Sequence, residues 1–190
     1  MARIRTFIAI ELNKTIREHL IALQETLGQA APEVKWVEPE NLHVTLLFLG
    51  EVEDRDLPAV CRAAQAAVAD QPAFPMTVER VGCFPNPRRP RILWAGIGLG
   101  TQDVVAVHDA IETPLLELGC YRREDRKYTP HVTLGRNRSE GPADALRKAL
   151  AQHAAWKAGE QIVGEIQVIA SELTSDGPSY SILGRAPLAG

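Results

Sequence analysis

Long apolar runs are missing from this 190-residue chain, and none approaches the roughly 18 residues that a membrane-spanning helix needs. The basic start Met1-Ala-Arg-Ile-Arg5 resembles the head of a signal peptide, but the apolar stretch Phe7–Ile10 stops at Glu11. That falls short of the roughly 7–15 residues of a secretory core. Cysteine is scarce: Cys61, Cys83 and Cys120 are odd in number and far apart, which excludes a CxxC metal or redox pair and argues against a disulfide framework. A reduced, cytoplasmic setting with no membrane partner is therefore expected. Charge of one sign is not in excess either, since the net charge is -3, so any recognition of phosphate must be local. What remains, with 45% hydrophobic and 24% charged residues, is the composition of one ordinary globular domain spanning 1–190.

The patterning alternates strands with helices. Ile4–Leu12 reads as a buried strand. Lys14–Gln29 carries Ile16, Leu20, Leu23 and Leu27 at helical spacing. Val34–Val37 and Leu42–Gly50 read as strands. Asp54 or Asp56 is placed to cap a helix running to about Asp70, with Pro58 in its first turn. Phe74–Phe84 reads as a strand, followed by Pro85-Asn-Pro-Arg-Arg-Pro90, where the prolines predict an irregular loop. Arg91–Ile97 is a strand, Thr101–Leu118 a helix with a kink expected at Pro114, Thr129–Gly135 a strand and Pro142–Lys157 a helix. Ile162–Leu173 and Ser179–Leu188 form a strand pair around Ser175-Asp-Gly-Pro178.

Within this order, strand, long helix, polar loop and a strand opening His-Val-Thr-Leu occurs twice. Phe7 precedes His43 by 36 positions and Trp94 precedes His131 by 37. A duplicated unit with a pseudo-two-fold relation brings two similar strand faces to opposite sides of one cleft. Five histidines and ten threonines predict only about a quarter of one His-x-Thr by chance, yet there are two. Side chains at i and i+2 of a strand share a face, so His43 with Thr45, and His131 with Thr133, each present an imidazole and a hydroxyl together.

Taken alone, one His-x-Thr is most simply a strand histidine with a satisfied hydrogen bond. Two, at equivalent places of a repeat, suit phosphodiester chemistry. One imidazole can act as base while the other acts as acid, and the hydroxyls can donate to the non-bridging oxygens of a phosphate. Residue pattern alone is too symmetric to say which histidine is which.

The glycines of Gly96-Ile-Gly-Leu-Gly100 lack the spacing and the downstream acid of a dinucleotide site, so a tight strand-to-helix turn is expected. His19, His108 and His153 fall in helices without metal-ligand spacing and read as surface or packing residues. A metal site using His43 and His131 lacks an acidic third ligand at useful spacing. Arg88, Arg89 and Arg91, and then Arg122, Arg123, Arg126 and Lys127, form two basic clusters that can follow an RNA backbone or simply face solvent. Phe7, Trp36, Trp94, Tyr121 and Tyr128 are candidates to stack on a terminal base. Trp94, inside an apolar strand, is expected in the core.

The chain resembles the RNA 2′,3′-cyclic phosphodiesterases, also called 2′-5′ RNA ligases, of the two-histidine phosphoesterases. The likeness covers nearly the whole chain. It rests on Arg5-Thr-Phe-Ile-Ala-Ile10, Val34-Lys-Trp-Val37, Glu40-Asn-Leu-His-Val-Thr-Leu46 with Phe48-Leu-Gly50, and the run Phe84–Trp94. It continues through Pro130-His-Val-Thr-Leu-Gly-Arg136, Ser171-Glu-Leu173 and Gly177-Pro-Ser-Tyr180. The resemblance implies a bilobal, duplicated α+β fold in which antiparallel sheets line a central cleft and helices lie outside. It implies hydrolysis of a terminal 2′,3′-cyclic phosphate of RNA, such as an oligonucleotide or a tRNA half, to a 2′-phosphate, without metal or cofactor. A 5′-hydroxyl in place of water would give 2′-5′ ligation. The family reading casts His43 as acid to the leaving oxygen and His131 as base, with Thr45 and Thr133 on the phosphate. Arg136 joins them, although its parity is opposite to His131, so it reaches the phosphate only if the strand ends or bends at Gly135. Phe48 stands where the first motif would have its counterpart. Phe7, Tyr128 and Arg126 are the candidates for further substrate contacts, and a monomer is expected. The rival reading is a module that grips RNA ends or a nucleotide without turnover.

Overall fold

The computed structural model describes residues 2–123, 125, 127–139, 143–175 and 177–190. In chain order the elements are β1 (Arg3–Glu11), α1 (Lys14–Gly28), β2 (Val34–Trp36), β3 (His43–Glu53), α2 (Leu57–Val68), β4 (Phe74–Asn86) and β5 (Arg89–Ile97). They continue with α3 (Thr101–Glu117), β6 (His131–Asn137), α4 (Asp144–Gln152), β7 (Lys157–Val163), β8 (Glu165–Thr174) and β9 (Gly177–Pro187).

Among the described residues these strands make one antiparallel sheet in the order β7-β4-β5-β6-β3-β1-β8-β9, with β2 added to β6. The centre of that order is where the two His-Val-Thr strands meet. β3 and β6 pair through Val44 and Val132, the middle residue of each motif. β1-α1-β3 on one side repeats as β5-α3-β6 on the other, each a strand, a helix and an antiparallel return. The halves are not separable layers, because each long helix reaches across: α1 contacts β7, and α3 contacts α2 and β3. One apolar core accordingly runs under both halves, from Ile8, Ile16 and Leu20 to Val107, Ile111 and Leu134.

Local chemistry accounts for most boundaries. α1 buries the expected stripe Ile16, Leu20, Leu23 and Leu27, and its start is fixed by Asn13, whose Oδ1 accepts from the Ile16 amide at 2.8 Å. Asp56 makes no side-chain cap to α2. Instead a 3₁₀ turn over Asp54–Asp56 leads into that helix. α3 runs through Pro114 to Glu117.

The proline-rich segment is not irregular. β4 continues to Asn86 and β5 begins at Arg89, and Asn86 Oδ1 accepts from the amides of Arg88 and Arg89 to close a tight hairpin. Pro85 and Pro90 face one another where the register slips, a place in a sheet that tolerates a missing donor. The last predicted helix is also shorter than expected. α4 ends at Gln152, and Lys157 opens β7, which turns at Gly164 into β8. Among the described residues no helix is long and apolar enough to cross a membrane.

Candidate active site

Antiparallel pairing through Val44 and Val132 buries both valines and turns His43, Thr45, His131 and Thr133 to the other face, around the centre of the sheet. His43 lies toward the Thr133 side of β6, and His131 toward the Thr45 side of β3.

Each imidazole is pinned in the same way. His43 Nδ1 is 2.6 Å from the carbonyl oxygen of Asn41, and His131 Nδ1 is 2.7 Å from that of Thr129. A carbonyl can only accept, so Nδ1 carries the hydrogen in both rings and, in the neutral form, Nε2 carries the basic lone pair. His43 Nε2 lies 2.9 Å from Thr45 Oγ1. In the neutral ring this nitrogen accepts, so the threonine hydroxyl donates to it. Asn41 is itself anchored, its Nδ2 donating to the Pro178 carbonyl at 2.9 Å.

Around His43 the site is aromatic. Phe7 stacks on the imidazole with 4.9 Å between centroids, and Tyr180 meets both rings edge-on at 5.0 and 5.6 Å. Burial among these groups lowers the His43 pKa from 6.5 to about 4; the bond to the Asn41 carbonyl opposes the shift and the charge of His131 adds to it. His43 is therefore neutral in the empty site at pH 7. On the other side Phe84 stands edge-on to His131 at 5.2 Å. Burial raises the Tyr180 phenol, partly offset by the guanidiniums of Arg5 and Arg136.

The position of Arg136 follows from a register detail. Thr133 pairs with Trp94 and Gly135 with Leu93, so Leu134 is an extra residue, a β-bulge. After a bulge the alternation reverses, and Arg136 returns to the face of His131 and Thr133. β3 does the same one step after its threonine: Thr45 pairs with Ala9 and Leu47 with Ile8, leaving Leu46 as the extra residue. Phe48 therefore faces the cleft opposite Phe7. Its half of the site still has a cation, because Arg5 of β1 lies over the Phe48 ring with Cζ 4.7 Å from the centroid.

Most of the other residues named for substrate contact have packing or polar partners of their own. Phe7 is 3% exposed and its face is occupied by His43, so it has no free face for a base. Tyr128 is committed elsewhere: its ring stacks on His108 at 4.0 Å and its hydroxyl donates to the Thr45 carbonyl at 2.8 Å, which braces β3. Tyr121 is core, and Trp36 packs over Gly28 and Gly135. Arg126 lies outside the described residues. Arg123 is paired with Glu112 at 2.8 Å. Trp94, expected in the core, is half-buried on the cleft face opposite Thr133. Asn41, Tyr180 and Arg5 were not singled out by sequence reasoning; each is brought to the histidines by cross-strand pairing or a turn contact, and no local spacing marks them. Among the described residues no group of three or more His, Cys, Asp or Glu is placed to hold a metal ion.

A sheet of this topology with paired His-x-Thr strands at its centre defines a two-histidine phosphoesterase, and a family model described as LigT-like phosphoesterase matches residues 10–94. The second motif lies beyond that match but within whole-chain relatives. An RNA 2′,3′-cyclic phosphodiesterase of Methanothermobacter thermautotrophicus is 31% identical over 179 residues, 94% of this chain and 96% of its own. Another of that name from Archaeoglobus fulgidus is 35% identical over 181 residues, covering 94% and 97%. The crystal structure of E. coli LigT complexed with 3′-AMP superposes with a TM-score of 0.80 at 27% identity, covering 99% of each chain. The chain belongs to the RNA 2′,3′-cyclic phosphodiesterase family.

Proposed function

We propose that this chain hydrolyses the terminal 2′,3′-cyclic phosphate of RNA to a 2′-phosphate. Water forms the new P–O bond and the P–O3′ bond breaks. One histidine takes the proton from water and the other gives a proton to O3′. The observation that carries this reading is the pair of imidazoles with Nδ1 tied to backbone at the centre of one sheet face, with Nε2 of His43 beside the Thr45 hydroxyl.

His43 is assigned as the acid and His131 as the base, following the family likeness. With His43 neutral in the empty site, this assignment requires that it gain its proton as the anionic phosphate binds. The same displacement by a 5′-hydroxyl gives a 2′-5′ link. No metal or cofactor takes part in the scheme. Thr45, Thr133 and Arg136 are assigned to the phosphate oxygens. Free Cys61, Cys83 and Cys120 suit a reducing cytoplasm, and one chain supplies all these residues, as a monomer requires.

Incubation with a 2′,3′-cyclic-phosphate oligoribonucleotide, with and without chelator, tests the proposal. Metal-independent conversion to a 2′-phosphate is the expected result. Tight binding without turnover would mark a binding module, and activity lost to the chelator a metal enzyme. If the hydroxyls hold the phosphate, Thr45→Val and Thr133→Val keep the side-chain shape but remove the donor. Each is expected to cost about 1–3 kcal/mol of transition-state stabilisation. Unchanged kcat/KM in folded valine variants would return both threonines to packing.

A further inference from the structure

β2 has only three residues, yet it is held firmly against β6. Val34, Lys35 and Trp36 pair with Asn137, Arg136 and Gly135. A Cβ built at Gly135 would lie 2.7 Å from Val34 Cγ1 and 3.0 Å from Trp36 Cε3, so both side chains close on β6 where glycine leaves room. Just past the strand, the Val37 amide donates to the Leu134 carbonyl at 2.9 Å. Gln24 of α1 donates its Nε2 to the carbonyls of Val37 and Leu134 at 2.8 and 2.9 Å, which ties both strands to the helix. Val34 and Trp36 thus turn to the core side, and Lys35 between them turns to the cleft face.

That placement carries an electrostatic cost. Lys35 and Arg136 are direct cross-strand partners, and both are exposed. Like charges at opposed positions destabilise a sheet. Glu33, Glu38 and Glu40 all lie within five residues of Lys35 in sequence, yet among the described residues neither cation forms an ion pair. The net charge of -3 gives no general excess of cations that would crowd two together. A bound anion relieves such a pair. Its distance from the chemistry says which anion. Pairing of Val44 with Val132 sets His43 level with Thr133, whereas Lys35 is level with Arg136. Three residues separate the two levels, about 10 Å at the usual rise of a strand. That offset places Lys35 past the terminal phosphate, toward the next phosphate of the same strand.

We propose that Lys35, held beside Arg136 by β2, binds the phosphodiester that joins the terminal nucleotide to the one before it. The inference rests on the proposed phosphodiesterase reading and adds to it a subsite for an RNA chain as distinct from a single cyclic nucleotide. The contact is a point charge on a phosphate, so it positions the strand without reading its sequence.

The test compares two trinucleotides ending in a 2′,3′-cyclic phosphate, one natural and one with a neutral methylphosphonate as its last internal linkage, in wild type, Lys35→Gln and Lys35→Arg. In wild type the neutral linkage is expected to raise KM about fivefold, the upper end for one exposed ion pair. That ratio should approach one in Lys35→Gln and persist in Lys35→Arg. The salt dependence of binding should agree: on logarithmic axes, the slope for the natural trinucleotide should be shallower by about 0.7 in Lys35→Gln, the share of one phosphate contact on a single strand. Because Lys35→Gln removes a like-charge pair, it should melt no lower than wild type. A glutamine variant that melts lower and raises both KM values together has lost packing, and that result overturns the proposal. So does a ratio that survives in Lys35→Gln or disappears in Lys35→Arg. Binding is read apart from turnover with the same two trinucleotides carrying a 2′-phosphate. A Lys35-dependent preference in Kd without hydrolysis of cyclic ends keeps the subsite and rejects the reaction, whereas hydrolysis with no such preference keeps the reaction and rejects the subsite.

Discussion

Alanine at His43 or His131 is expected to lower kcat on a cyclic-phosphate RNA end by about 10²–10⁴-fold, the range of a lost general acid or base. Both rings have their Nδ1 fixed by a carbonyl two residues upstream, so each offers a single nitrogen in a set direction. Alanine removes that nitrogen outright. The double variant should lose less than the product of the two single losses, because neither proton transfer helps much without the other. The His43 site needs a second control. Phe7 and Tyr180 lose a ring contact when the imidazole goes, so a slow enzyme could reflect a collapsed wall. His43→Gln keeps much of the volume and should be as inactive as His43→Ala while melting closer to wild type. Near-normal turnover in either alanine variant of a folded protein would falsify the two-histidine scheme.

How much of this site was legible in the sequence depends on the range over which each feature is set. The imidazole and hydroxyl of each motif share a face by the simple alternation of a strand, so His43, Thr45, His131 and Thr133 could be read directly. The α1 stripe and the repeat of strand, helix and strand were legible for the same reason. Arg136 was named through the family likeness, but its side could not be read from spacing, because it depends on a bulge at Leu134 that appears only when β6 pairs with β5. Trp94 was placed in the core because its neighbours are apolar, whereas its orientation is decided by glycines on two strands. The hairpin of β4 and β5 was hidden by its prolines, and β7 by an apparent continuation of the last helix. Arg5 and Tyr180 come from opposite ends of the chain and meet through β8, with Arg5 and Tyr180 both paired to Ser171. No sequence window contains that contact.

The acid limb of kcat/KM assigned to His43 is expected near pH 4, well below the optimum of about pH 6–8 that two ordinary histidines would set. kcat/KM reports the free enzyme, and in the free enzyme burial beside Phe7 and Tyr180 holds His43 neutral until about 4. kcat reports the complex. There the negative cyclic phosphate favours the imidazolium, so the same limb should move upward in kcat. Because the two histidines interact, neither limb by itself says which ring is acid and which is base. The same shift acts on stability. A folded-state pKa below the unfolded value favours the neutral ring, so nothing is lost above pH 6.5. As pH falls from about 6.5 toward 4 the unfolded chain takes up a proton that the folded chain refuses, and stability drops by roughly 1.4 kcal/mol per pH unit. The total is at most about 3 kcal/mol, since the ring keeps some contact with water. Denaturant unfolding of wild type and His43→Gln across pH 7 to 4 measures it: the wild type should lose more stability than the variant over that interval. An imidazole NMR titration of the empty protein supplies the direct reading. Protonation of His43 near 6.5 would show that Phe7 and Tyr180 do not shield it, and both pH expectations would fail together.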